Sequence, residues 1–279
     1  MDSLMPEEMA IKAEDAGVKK ANRSFYKTFV LAILAGAFIA FGAIFATTVT
    51  AETTLSPSFT KLIGGVAFSL GLILVIIGGA ELFTGNNIIV MAWANKRIKT
   101  MQVVRNWSIV FFGNFVGSIS VALLMLYSLQ YTSGTGSIGA KALSIAEAKC
   151  SLGFVQAIVL GIFCNVLVCL AVWLCYSAKT TGGKILAIVF PITAFVAAGF
   201  EHSIANMYFI PKALLIKSSA NDQFWASINA TPEMYQNLTW SNFLVDNLIP
   251  VTIGNIIGGA VLVGFVYWFV YLKGKKRTT

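Results

Sequence analysis

The chain has 279 residues, of which 57 % are hydrophobic and only 11 % charged, and it carries a formal net charge of +8. So few charges over such a length exclude a soluble domain and describe an all-α integral membrane protein in a lipid bilayer. The basic surplus gathers in the segments between apolar stretches, so it is a topological signature, and no nucleic-acid partner is expected.

In chain order, the first 27 residues mix acids and bases and have no apolar core of signal-peptide length, so no cleaved leader is expected. Within them Leu4, Met5, Met9, Ala13 and Ala16 recur at helical spacing, apart from Glu7, Glu8, Glu14 and Asp15. This predicts a short amphipathic helix on the cytoplasmic surface, which could pack there or cap a pore. Six apolar spans follow: Thr28–Thr48, Leu62–Asn95, Trp107–Gln130, Ser151–Ser177, Ile185–Leu215 and Phe243–Leu272. They form a single transmembrane domain over 28–272, with a basic tail over 273–279. Six spans leave both termini on one side. Fifteen of the twenty lysines and arginines fall on that side, including Lys12, Lys20, Arg23, Lys184 and Lys275, while Lys61, Lys141, Lys149, Lys212 and Lys217 lie opposite. By the positive-inside rule the termini are cytoplasmic.

The second span is too long to be one straight helix. Between Lys61 and Lys96 the only charge is Glu81, and a helix of that length would reach roughly 50 Å against a hydrocarbon core of roughly 30 Å. The break is expected at Leu82–Asn87, where Thr84, Gly85, Asn86 and Asn87 are weak helix formers, and at His202–Asn206 in the fifth span. Irregular backbone at membrane depth is tolerated where it is buried in protein or lines a water-filled path.

Those two places carry one pattern, GAELFTGNN from Gly79 and GFEHSIANM from Gly199, with Glu81 facing Glu201 and Asn86 facing Asn206. An intramembrane carboxylate costs about 2.5–3.5 kcal/mol on insertion scales, so two at matching places require a reason. The glutamates, with Asn86 and Asn206, are expected to stabilise the loops by tying them to neighbouring backbone N–H groups. A second repeat, NWSIVFFGNFVG from Asn106 and NLIPVTIGNIIG from Asn247, places GNxxG in the third and sixth spans. Its glycines allow close helix approach, and Asn114 and Asn255 can hydrogen-bond across helices. Three spans per half, over about 28–130 and 151–272, put the copies in opposite orientations, an inverted 3+3 repeat with broken second and fifth helices.

His202 is the sole histidine. Imidazole titrates near neutrality when unperturbed, so in a membrane it suits hydrogen bonding to an anion or proton exchange with one; the structural alternative is a ring bonded to a backbone carbonyl. Cys150, Cys164, Cys169 and Cys175 lack metal-ligand or paired spacing, and no metal or cofactor is expected. With one histidine, no HExxH and no phosphate-binding glycine loop, a membrane-embedded enzyme lacks its parts.

Taken together, GFEHSIANM and NLIPVTIGNIIGG resemble the formate/nitrite transporter family, which includes hydrosulfide channels, and the resemblance spans nearly the whole chain. It implies an aquaporin-like six-helix protomer, a homopentamer with a pore in each subunit, and residence in a bacterial or archaeal inner membrane. The substrates it implies are small monovalent anions (formate, nitrite or hydrosulfide) or their conjugate acids. Position by position, it assigns Leu82, Phe83 and Thr84 to the cytoplasmic side of the pore, Phe68 and Phe195 to its constrictions, and His202 to its centre. Asn165 and Asn255 match pore-side asparagines, and Lys149 matches an outer-vestibule lysine. The last two spans stand nearest the formate channels, whereas GAELFTGNN departs from the serine-rich loop of several members. The expected path has Lys149 concentrating the anion before an apolar slit, where His202 and Thr84 lower the barrier. A channel for small neutral solutes is the alternative on the same scaffold, disfavoured by the absence of paired NPA sequences.

Overall fold

A computed structural model describes residues 3–274, so Lys275, Lys276 and Arg277 of the expected basic tail lie outside the described residues. Six helices among the described residues are long and apolar enough to cross a membrane. Those helices are α2 (Phe25–Ala51), α3 (Pro57–Gly78), α5 (Thr100–Tyr127), α7 (Phe154–Ser177), α8 (Thr181–Ala198) and the final span, Asn242–Tyr271. Shorter helices accompany them: α1 (Pro6–Ala21), α4 (Val90–Ala94), α6 (Ser137–Cys150), α9 (Ser203–Ser219) and α10 (Asp222–Ser227). Starts follow local chemistry: α3 begins at Pro57 behind Ser56, whose hydroxyl accepts the Phe59 N–H, and α8 begins behind Thr180, which accepts the Gly183 N–H.

Both breaks occur at glycine. Helix α3 stops at Gly78, and Gly79 turns left-handed (φ +80°) while its N–H closes on the Val75 carbonyl at 3.1 Å. An irregular stretch and a 3-10 turn over Gly85–Ile89 then lead into α4. Helix α8 likewise ends at Ala198 on a left-handed Gly199 (φ +74°), and α9 resumes at Ser203. The breaks therefore begin ahead of the expected Leu82–Asn87 and His202–Asn206, and Ser203–Asn206 is already helical. The positive φ ends each helix, whereas weak helix propensity alone does not. Neither glycine has an atom within 4 Å of where a Cβ would stand, so Gly79→Ala tests conformation alone. We expect it to lower stability by about 1–2 kcal/mol in a thermal melt.

The GNxxG glycines set the helix spacing. A Cβ on Gly117 of α5 would lie 2.0 Å from the Ile33 carbonyl oxygen of α2, and one on Gly113 would lie 2.5 Å from the Ala32 Cβ. In the other half, Gly254 and Gly258 approach the Ile158 and Ile162 oxygens of α7, with a Cβ there 2.1 and 2.2 Å away. The two halves thus repeat one helix crossing.

Helix α1 is not simply laid on the surface. Met9, Ala10 and Ala13 are buried in a cluster with Ile88, Met91 and Val172, and Glu14 accepts the Asn95 amide at 2.7 Å. Arg97 clamps the same helix through Glu14 and Asp15, at 3.4 and 3.2 Å.

Candidate functional site

The two broken loops are held by one hydrogen-bond scheme used twice. The Glu81 N–H donates to the Leu31 carbonyl and the Glu201 N–H to the Leu160 carbonyl, at 3.1 and 3.3 Å. Asn114 gives its amide to the Ala32 and Glu81 carbonyls (2.8 and 2.9 Å) and accepts the Phe83 N–H (2.9 Å). Asn255 does the same with Gly161, Glu201 and the Ser203 N–H, at 2.8, 3.0 and 2.9 Å. The GN asparagines, then, satisfy the loop backbone, which is the task expected of the glutamates.

The glutamates instead bind asparagine amides and cations. Asn86 donates to Glu81 at 2.7 Å and to Asn106 at 3.0 Å; Asn206 donates to Glu201 and to Asn247, both at 2.7 Å. Glu81 is further paired with Lys20 (2.9 Å) and Arg23, and Glu201 with Lys149 (2.8 Å). The physical reason is burial: an enclosed carboxylate needs compensating positive charge, which neutral backbone donors do not supply. Glu81→Ala leaves Lys20 and Arg23 27 % and 23 % exposed and within reach of water, so the expected loss is that of the unpaired Asn86 amide, about 1–3 kcal/mol, together with a loosening of α1. Faster tryptic cleavage after Lys19 or Lys20 would report the loosening; a variant that melts and cleaves like the parent would show that the Asn86 amide is satisfied by water as well.

Two cavities approach each other from opposite ends of the bundle. The outer, of about 440 Å³, is lined by Lys61, Lys141 and Lys149 and reaches inward to Phe68, Phe195 and His202. The inner, of about 310 Å³, is lined by Lys12, Lys20, Arg23 and Lys184 and reaches Leu72 and Leu82. Phe68 and Leu72 are one turn apart on α3, so the wall between the cavities is about 6 Å thick along that helix. Phe68 meets Phe195 edge to face at 5.7 Å, and Phe195 stacks on His202 at 6.0 Å. An apolar plug with one polar edge therefore separates two cationic mouths.

That polar edge is His202 and Thr84. The imidazole caps α9, its Nδ1 accepting the Ala205 N–H at 3.0 Å. An Nδ1 that accepts carries no proton, which assigns the ring proton to Nε2, 2.9 Å from the Thr84 hydroxyl. Nε2–H therefore donates to Thr84, and the hydroxyl keeps its own hydrogen for another acceptor. The structural alternative, a ring bonded to a backbone carbonyl, is not the arrangement found.

Not every residue chosen from the sequence faces a mouth. Phe83 packs against Trp107 and Phe111 (6.2 and 5.1 Å) and borders a separate cavity of about 250 Å³. Asn165 gives its amide to the Asn255 carbonyl (2.6 Å), the Asn87 side chain (2.9 Å) and the Thr84 carbonyl (3.3 Å), so it holds the loops from behind. Asn255, as described, does the same. Lys149 lines the outer cavity, but its charge is shared with Glu201. Sequence reasoning missed Leu72, Lys61 and Lys141 as lining residues. Lys61 and Lys141 were readable as two of the five cations opposite the termini, and neither has an ion-pair partner among the described residues.

The family model for formate/nitrite transporters matches residues 7–269. The formate channel FocA of Escherichia coli (strain K12) is 48 % identical over 273 residues, covering 98 % of this chain and 96 % of its own. Among solved structures, a pentameric formate channel with formate bound superposes with a TM-score of 0.85 at 47 % identity, over 89 % of this chain and 98 % of that one. An FNT family ion channel follows at a TM-score of 0.79 and 29 % identity, over 94 % and 98 % of the two chains.

Proposed function

The chain belongs to the formate/nitrite transporter family, and from that premise we propose that it is a formate channel, with a separate pore in each protomer of a homopentamer. It is a multi-pass membrane protein of a channel and transporter family rather than an enzyme. We place it in a bacterial inner membrane with both termini in the cytoplasm. The observation that carries the reading is the pair of cation-lined cavities meeting at a plug about one helical turn thick.

The steps follow from that geometry. Lys61 and Lys141, unpaired by carboxylates among the described residues, raise the anion concentration at the outer mouth, and Lys149 adds to them in part. Phe68, Leu72, Leu82 and Phe195 then exclude the hydration shell. A bare anion between apolar side chains is costly, whereas a protonated weak acid or a hydrogen-bonded anion is much less so. The Thr84 hydroxyl, oriented by His202, offers its hydrogen at that point and replaces a lost water. Lys20, Arg23, Lys12 and Lys184 receive the anion on the inner side.

Stopped-flow uptake into liposomes holding the purified protein tests the reading, with formate, nitrite, hydrosulfide, chloride and glycerol offered in parallel at two pH values. Fast, pH-dependent formate flux with little glycerol movement is expected. Glycerol or water permeation without anion flux would overturn it in favour of a neutral-solute channel.

A further inference from the structure

The two glutamate clusters are built in the same register but are not equally filled. Leu31 and Leu160 accept from the two glutamate N–H groups, and the Lys20 and Lys149 carbonyls accept from Asn106 and Asn247, at 3.4 and 2.9 Å. Lys149 is thus the counterpart of Lys20, and Leu152, three residues on, is the counterpart of Arg23. In the inner cluster Arg23 holds Glu81 Oε1, which leaves the Lys20 ammonium to bridge Glu81 Oε2 (2.9 Å) and Asn86 Oδ1 (2.8 Å). In the outer cluster Leu152 offers no charge, and Lys149 instead binds Glu201 Oε1 at 2.8 Å. Asn206 Oδ1, the equivalent of the oxygen that Lys20 fills, is buried and has no hydrogen-bond partner among the described residues. Both Glu201 and Asn206 border the outer cavity.

We infer that the outer cluster binds a second, exogenous monovalent cation of the ammonium class, bridging Glu201 Oε2 and Asn206 Oδ1 where the Lys20 ammonium sits in the other half. An N–H donor fits because the matching acceptors are occupied there by an alkylammonium, and a buried acceptor without a donor is a costly arrangement. Two cations on one carboxylate are also accommodated by this frame, as Lys20 and Arg23 on Glu81 demonstrate. Occupancy would turn the outer cluster from neutral to singly positive, and release Lys149's field toward the anion. The site stands whichever solute the pore carries.

Equilibrium binding of radiolabelled methylammonium, which reproduces the tip of a lysine, to the purified protein in detergent at low salt is the test. Saturable, stoichiometric binding is expected, displaced by ammonium but not by tetramethylammonium, which has no N–H. Leu152→Arg supplies the missing counterpart of Arg23, and it should let Lys149 move onto Asn206 and weaken binding by at least about tenfold. Leu152→Met should bind like the parent. Absence of saturable binding, equal displacement by tetramethylammonium, or full binding by a folded Leu152→Arg protein would each overturn the inference.

Discussion

His202→Asn is expected to leave the protein folded while slowing formate flux roughly tenfold, the equivalent of about one hydrogen bond at the barrier. Folding survives because His202 is the N-cap of α9, accepting the Ala205 N–H, and asparagine is among the best residues for that position. What is lost is reach: the shorter side chain gives up the 2.9 Å contact to Thr84, so the hydroxyl is no longer aimed by a donor. The pH profile of flux should also change, since the chain's one imidazole, the ring able to pass a proton to a bound anion, is gone. Flux assays on the variant across pH 5–8, alongside Thr84→Val, check both statements. If His202→Asn kept the parent's rate and pH profile, the histidine would be only a cap.

Gly117→Ala should be the most damaging single methyl in the chain. Its Cβ would lie 2.0 Å from the Ile33 carbonyl oxygen, an atom of the α2 backbone that no rotamer change can move aside. The helices must separate, and Asn114, one turn earlier on α5, then loses its 2.8 Å bond to the Ala32 carbonyl and its grip on the broken loop. Overpacking costs about 1–3 kcal/mol and each buried amide left unpaired a further 1–3, so a loss of about 3 kcal/mol or more follows. Gly254→Ala, at 2.1 Å from the Ile158 oxygen, should behave alike, whereas Gly182→Ala, with nothing nearby, should melt with the parent. Thermal unfolding and size-exclusion recovery of the three proteins give the comparison. Similar melts for Gly117→Ala and Gly182→Ala would mean that α2 and α5 slide without cost.

What was legible in the sequence is what repeats locally. Apolar length marked the spans, and the doubled Gly-Glu-Asn pattern marked the broken helices and their inversion. The break positions were read too late because propensity averages over neighbours, whereas a single left-handed glycine ends a helix abruptly. Partners distant in sequence were not legible: Lys20 and Arg23 reach Glu81 from 61 and 58 residues away, and nothing in the loop announces them. Nor could the sequence tell which side of a helix faces the path, so Phe83 and Asn165 were chosen with Leu82 although they stand behind it. Among twenty-one phenylalanines, direction is decided by packing, which periodicity alone does not encode.

The contact between Thr84 and His202 could not exist in a duplex of two identical copies. In the paired loops His202 stands opposite Leu82, and Thr84 stands opposite Ile204. Two copies of the first loop would bring leucine to threonine, and two copies of the second would bring histidine to isoleucine. The hydroxyl–imidazole pair therefore belongs to the difference between the halves, while glycine, glutamate and asparagine belong to what they share. The scaffold holds its frame where the two halves agree and its chemistry where they differ. Engineering that restores symmetry to the loops should preserve the protein's architecture and erase its transport chemistry.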